Sequence, residues 1–334
     1  MTGGDGAPAP AVVLVGGEGT RLRPLTYRTP KQLLPVAGLP LLRRVVQPLE
    51  AAGVKQVVLA SGYRADAFAG LDLGPFRVTP VVEDSPLGSG GGLAHALRAA
   101  GIDGTFIALN GDVIGDVDIA AILASHRSSG ARATILVKSV ADPSEFGVAV
   151  LGEDGAVERF VEKPPPPAPS KLINAGVWIL ESSILDTVES GQVCNIEREI
   201  FPKLAEAGQM KAVEHLGWWH DVGRLDRYLA ATRDCIRSAS IPEGWRREGD
   251  SLFAPDAMVD ETARVESSVI GPAARVRPGA VVSGSVLLDG ASVGRDARVE
   301  RSIVGPGWSV DEAGQVSDAI HADPSTSAPS RPGK

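Results

Sequence analysis

Short aliphatic runs punctuate the first two thirds of the chain, separated by stretches whose apolar residues recur every three or four positions. The runs are "AVVLV" (11–15), "QVVLA" (56–60), "RVTPVV" (77–82), "TFIALN" (105–110) and "ATILV" (133–137). Rich in Val, Ile and Leu, they read as buried strands. Between them, residues 40–52 carry Leu41, Leu42, Val45, Val46 and Leu49 at helical spacing, and 89–100 and 118–129 behave similarly. Strands alternating with helices predict an α/β, Rossmann-like domain with a mostly parallel sheet covered on both faces. In such sheets ligands bind beyond the carboxyl ends of the strands. That places "GGEGTRLRPL" (16–25) and "NGD" (110–112) on one rim.

The pattern changes near the C-terminus. In rows of seventeen the chain reads "AMVDETARVESSVIGPA" (257–273), "ARVRPGAVVSGSVLLDG" (274–290), "ASVGRDARVERSIVGPG" (291–307) and "WSVDEAGQV" (308–316). Val259, Val276, Val293 and Val310 align, as do Val265, Val282, Val299 and Val316, and Ile270, Leu287 and Val304. Each is the inward residue of a short strand, and three strands make one coil. This resembles the hexapeptide repeat of left-handed parallel β-helices, in which each coil buries its apolar positions only by stacking on the next. The expected plan is a flexible start (1–10), an α/β domain (11–237), a polar linker (238–252), the β-helix (253–316) and a disordered tail (317–334). The run "PPPPAP" (164–169) is expected to be a stiff connecting loop.

Composition narrows the partners. A net charge of −8 argues against nucleic acid or an anionic membrane as a general partner. No run approaches the length of a membrane span, and the first ten residues lack the basic start and apolar stretch of a secretory signal. Cys194 and Cys235 have no metal or redox spacing, which suits a reducing compartment. The cytoplasm is the expected address.

The chemistry lies in the turns. Glycines directly after a strand let backbone N–H groups approach phosphate oxygens, because no Cβ intervenes. Gly16, Gly17 and Gly19 fit that role, but the segment lacks the GK[ST] ending of a P-loop, and Leu22 stands where a dinucleotide fingerprint needs its third glycine. A plain strand-to-helix turn with Arg21 and Arg23 on the surface is the competing reading. Asp112, at the end of a buried strand, reads equally as a turn or cap residue.

The longer string decides between these. "GGEGTRLRPLT" continues to "TPKQLLPVAGLPLL", fixing the glycines with Thr20, Arg21, Pro24, Thr26, Pro30, Lys31 and Pro35. "PLGSGGGL" (86–93), "LNGDV" (109–113), "FGV" (146–148), "VEKP" (161–164), "NAGVW" (174–178) and "HDVG" (220–223) follow in order. Residues 11–235 resemble the sugar-1-phosphate nucleotidyltransferases, or sugar-nucleotide pyrophosphorylases, closest to the mannose-1-phosphate guanylyltransferases. The resemblance implies a GT-A-like fold and an Mg²⁺-assisted in-line attack of a sugar 1-phosphate on the α-phosphorus of an NTP. The attacking oxygen is already ionised near neutral pH, so the enzyme's task is to bring two anions together and stabilise charge.

The same resemblance assigns roles. Arg21 is the catalytic cation and Lys31 neutralises the α-phosphate region, with Gly16, Gly17, Gly19 and Thr20 contacting the triphosphate. Asp112 and Asp221 are the metal-binding pair. Lys163 grips the sugar phosphate, Glu162 accepts from sugar hydroxyls, and Gly147, Asn174 and Gly176 complete that pocket. Glu83 and the Gly88 backbone are expected to read the base. A carboxylate only accepts, which matches the adjacent N1–H and N2–H donors of guanine and predicts GTP. Capping of the helix that begins near Ser89 is the alternative for Glu83. His220 is weighed as a neighbour of the metal, against packing or solvent. Trp218 and Trp219 are expected in the core or pocket wall. A homo-oligomer built through the β-helix is expected. Thymidylyl, uridylyl or adenylyl transfer, and a non-catalytic regulatory role, are the alternatives.

Overall fold

The computed structural model describes residues 8–62, 65–238 and 241–323. The chain divides into two compact units, one of residues up to Gly17 with Val45–Trp219, the other of Glu18–Arg44 with His220 onward.

The first unit is built on a nine-stranded sheet: β1 (Ala11–Leu14), β2 (Gln56–Ser61), β3 (Arg77–Val82), β4 (Thr105–Asn110), β5 (Ala133–Ser139), β6 (Gly147–Leu151), β7 (Val157–Glu162), β8 (Leu172–Glu181) and β9 (Met210–Glu214). The order β3-β2-β1-β4 is parallel throughout. The sheet is therefore α/β as expected, but mixed. Next to β4 lies β8, antiparallel to it, and β8 also pairs with β5 and β6. Ten residues long, β8 carries the fully buried Trp178, Ile179 and Leu180.

The helices are α1 (Leu41–Val46), α2 (Pro48–Ala51), α3 (Gly88–Ala100), α4 (Ile119–Ser129), α5 (Ile196–Glu199), α6 (Phe201–Glu206) and α7 (Leu225–Ser238). The single helix expected over 40–52 is two pieces, because Pro48 supplies no N–H to continue the first. Asp118 caps α4 by accepting from the Ala121 N–H at 3.0 Å. The run 77–82 is an edge strand rather than a buried one: only Val81 is buried, and Val82 is 51% exposed. Pro80 inside it was the available signal, since proline cannot donate to a ladder on both sides.

In the second unit the seventeen-residue repeat becomes three parallel ladders. Val259, Val276, Val293 and Val310 stack in register; so do Val265, Val282, Val299 and Val316, and so do Phe253, Ile270, Leu287 and Val304. The eleven aligned positions thus sit one above another, with Phe253 added at one end. His321 pairs with Val304 at the other end, so residues 317–323 close a coil and are not a disordered tail; 324–334 lie outside the described residues. Residues 246–248 and 251–253 form an antiparallel hairpin on the first coil, where an irregular linker was expected. The expected flexible start also fails at its inner end. Ala9 is buried and the Pro10 carbonyl accepts from the Ile107 N–H at 2.9 Å; residues 1–7 lie outside the described residues.

A second repeat runs beside the apolar one. Ser251, Ser268, Ser285 and Ser302 are all buried. The hydroxyl oxygens of Ser268 and Ser285 accept the N–H of the serine seventeen residues on, at 3.0 Å in each case. This carries hydrogen bonding through an interior corner where a methyl would leave donors unmet.

Candidate functional site

Gly16, Gly17 and the "NGD" turn lie in the first unit, and residues 18–25 belong to the second. Beyond β1 the backbone enters Gly16 and Gly17, the latter at φ 106°. Gly111 donates its N–H to the Leu14 carbonyl at 2.9 Å, and a Cβ there would lie 2.7 Å from that oxygen. The "NGD" turn therefore closes on the glycine turn only as glycine, and Asp112 follows directly.

Glu83 follows β3. Its Oε2 accepts from the Leu87 N–H at 3.0 Å, immediately before α3. Leu87 is the residue before the helix, and α3 has no side-chain cap hydrogen bond there, so the bond ties Glu83 to the loop and does not cap the first turn. Its Oε1 lies 2.5 Å from where a Cβ of Gly92 would sit, so the glycine run of "PLGSGGGL" makes room for this carboxylate. Gly88, at φ +72°, likewise has no space for a Cβ beneath the Cys194 carbonyl.

The "FGV", "VEKP" and "NAGVW" segments come together through strand pairing. Gly147 is the partner of Glu162 across β6 and β7. A Cβ on Gly147 would stand 2.8 Å from Glu162 Oε2 and 2.6 Å from the Phe160 ring. The Glu162 side chain is 14% exposed, while Lys163 is 56% exposed with its Nζ 3.5 Å from Glu162 Oε1. Lys163 adopts φ 49° and donates its N–H to the Phe146 carbonyl at 3.0 Å. Asn174 is a fastener: its Oδ1 accepts from the Gly176 N–H at 3.1 Å and the Trp178 Nε1–H at 2.7 Å, across an irregularity in β8. Its side-chain NH2 is the part suited to a ligand. Gly176, at φ +73°, sits against Asn110 of "NGD". Trp219 donates to the Ala175 carbonyl at 3.0 Å and packs edge-on against Phe146, a wall position as expected.

The second unit holds the cationic loop. Three 3-10 turns, Thr20–Leu22, Leu25–Tyr27 and Lys31–Leu33, carry it. Gly19 at φ 60° opens the first, and the Thr26 hydroxyl donates to its carbonyl at 2.8 Å. Lys31 is buried. The turn Ala37–Gly38 has positive φ at both positions, and a Cβ on Gly38 would meet Pro242 and Trp245. Buried Arg44 donates to the Val36 and Ala37 carbonyls, and the Tyr228 hydroxyl donates to Pro35. These contacts hold the segment after Lys31.

Asp221 lies in this unit as well. A Cβ on Gly223 would be flanked by Asp221 Oδ1 at 2.9 Å and the Arg21 guanidinium at 3.2 Å. The structure therefore brings Arg21 beside Asp221, 200 residues later in the chain. Arg227 Nη1 donates to Asp221 Oδ2 at 3.0 Å, a neighbour that the motifs did not flag. Arg23 turns to Glu18 and Tyr27, and His220 pairs with Asp234 of α7 at 2.7 Å.

Among the described residues no cluster of three His, Cys, Asp or Glu could hold a metal. Asp112 lies in the first unit and Asp221 in the second, and each carboxylate is a donor of the kind Mg²⁺ takes alongside waters and substrate phosphates.

Known families match both parts of the chain. The nucleotidyl transferase profile covers residues 10–238, and the GlmU-like C-terminal hexapeptide profile covers 243–330. The chain belongs to the nucleotidyl transferase family. It is 36% identical over 292 residues to a mannose-1-phosphate guanylyltransferase of Mycobacterium tuberculosis, spanning 85% of this chain and 80% of that one. It is 37% identical over 294 residues to mannose-1-phosphate guanylyltransferase 1 of Arabidopsis thaliana, with the same coverage. Among solved structures, HddC from Yersinia pseudotuberculosis complexed with GMP-PN superposes with a TM-score of 0.57 at 28% identity, covering 68% of this chain and 99% of that one. This nucleotidyl transferase is an α/β enzyme that condenses an NTP with a sugar 1-phosphate, and its coils form a left-handed β-helix. No helix among its described residues is long and apolar enough to cross a membrane.

Proposed function

We propose that this nucleotidyl transferase uses GTP and mannose 1-phosphate, releasing pyrophosphate and forming a GDP-sugar. The observation that carries the reading is the carboxylate of Glu83 at the head of α3. Leu87 fixes one of its oxygens, which leaves acceptor capacity for the N1–H and N2–H donors of guanine, with the Gly88 backbone alongside. Adenine and uracil each present an acceptor that a carboxylate would face unfavourably. The activity for which these relatives are named supports the same pair of substrates.

In this reading Gly16, Gly17, Gly19 and Thr20 offer backbone donors to the triphosphate. Arg21 stabilises the charge that builds at the reacting phosphorus, its planar fork matching equatorial oxygens. Lys31 neutralises the α-phosphate region. Glu162 accepts from sugar hydroxyls, Lys163 holds the sugar phosphate, and Gly147, Asn174 and Gly176 shape the pocket. Asp112 and Asp221 hold Mg²⁺, which supplies charge neutralisation between phosphate oxygens when bound. Arg227 keeps Asp221 oriented. A cytoplasmic setting fits two buried thiols, of which Cys235 is pushed up to about 11 by burial. Homo-oligomerisation through the coils belongs to the same proposal.

The test is pyrophosphate release from purified protein with Mg²⁺, each of GTP, ATP, UTP and dTTP, and a set of sugar 1-phosphates. Turnover confined to dTTP or UTP overturns the Glu83 argument. Light scattering reads the oligomer.

A further inference from the structure

A second carboxyl stands beside the proposed sugar pocket, and none of the motifs contains it. Glu197, in the first turn of α5, is partly buried. Its Oε2 accepts from the Ser89 hydroxyl at 2.5 Å, and Ser89 Oγ accepts in turn from the Ile196 N–H at 3.1 Å. The N–H groups of Gly90 and Gly91 both donate to the Cys194 carbonyl, at 2.9 and 3.1 Å. The first turn of α3 and residues 194–197 are thereby fastened together.

The other side of α5 meets the sugar strand. α5 packs on β7, which ends in Glu162. Burial, the largest cause, raises the Glu197 pKa, and the charge of Glu162 raises it further; Ser89 and Lys163 act the other way. A carboxyl placed against its own preferred charge state is a poor stabilising device and a common feature of binding sites. A carboxylate has about four lone-pair sites. Ser89 and the residue's own backbone N–H take two of them, and the remainder can accept from hydroxyls.

We infer that Glu197 is a second hydroxyl-reading carboxyl of the acceptor pocket, accepting from a ring hydroxyl of the sugar 1-phosphate while Ser89 fixes its orientation. This rests on the sugar role proposed for Glu162 and Lys163. One carboxyl selects weakly among polyols; two on neighbouring elements discriminate between epimers, because each rejects a hydroxyl turned away from it.

The experiment uses the full chain with Mg²⁺, GTP and mannose 1-phosphate, and compares Glu197→Ala, Glu197→Gln, Ser89→Ala and Glu162→Ala. Glu197→Ala is expected to raise KM for mannose 1-phosphate about tenfold while KM for GTP stays within about twofold. Glu197→Gln, whose amide oxygen still accepts, is expected to recover most of that loss, and Ser89→Ala to show a smaller loss of the same kind. Each deoxymannose 1-phosphate is then tried in turn. Removal of the contacted hydroxyl should weaken the parent about tenfold and leave Glu197→Ala no worse. If Glu162→Ala raises the sugar KM and Glu197→Ala does not, the inference falls and the proposed pocket stands. If neither variant moves that KM, the pocket assignment itself fails. Equal change in both KM values, or a lowered Tm with no KM split in Glu197→Ala, marks a structural role and also overturns the inference.

Discussion

The substitution Gly147→Ala separates a seat for a side chain from a mere turn residue. The added methyl carbon would stand 2.6 Å from Phe160 Cζ and 2.8 Å from Glu162 Oε2, closer than Cβ atoms tolerate. Something must move, and packing decides which. Phe160 is 3% exposed and edge-on to Phe201, with centroids 5.3 Å apart; Phe201 in turn meets Trp178 edge-on at 5.3 Å. A ring held in that stack yields less readily than a carboxylate at a strand end, so Glu162 is displaced. Overpacking of this kind costs about 1–3 kcal/mol of stability, which a marginal domain can absorb. The functional effect is the loss of a charge-assisted hydrogen bond to the sugar, about 1.5–3 kcal/mol, or roughly 10- to 150-fold in kcat/KM. The assay is initial-rate pyrophosphate release with mannose 1-phosphate varied at saturating GTP, then the reverse. The loss should appear against the sugar alone, and Gly147→Ala/Glu162→Gln should be no worse than Glu162→Gln. A variant that folds, by circular dichroism and Tm, and keeps kcat/KM within twofold refutes the reasoning.

Other outcomes follow from the same geometry. Leu287→Ala empties a fully buried position in the coil interior and should cost about 2–5 kcal/mol in denaturant unfolding. Ser285→Ala leaves the Ser302 N–H without its 3.0 Å acceptor and should cost about 1–3 kcal/mol by the same measurement. Because the Glu197 pKa is raised in the folded protein, its contribution to stability is full below the ordinary carboxylate range and is lost as pH rises through the raised value. Glu197→Gln should therefore flatten the fall of Tm with pH over that interval; an unchanged slope counts against it. Asp112→Ala should lower turnover with Mg²⁺ at least a hundredfold, and full activity would overturn the metal assignment.

The coil stack was legible because repetition is one-dimensional. Equal spacing of Val259, Val276 and Val293 already implies stacking, and the ladders pair these residues directly. The glycine turns were legible because a close backbone approach leaves no room for a Cβ, as at Gly88 and Gly111. Chain order could not show the corners of the coils. Ser267, Gly284, Arg301 and Asp318, seventeen residues apart, all take positive φ and share no side-chain chemistry. Nor could it show which carboxylates have partners. Arg21 beside Asp221, on either side of Gly223, and Ser89 hydrogen-bonded to Glu197 depend on segments far apart in sequence that only packing brings together. The sequence by itself determined most of the strands and helices of the α/β unit and the repeat of the coils, since these follow from local spacing and residue type. The tertiary structure alone decided which groups face one another, because burial and contact depend on distances that strand pairing sets and sequence separation does not.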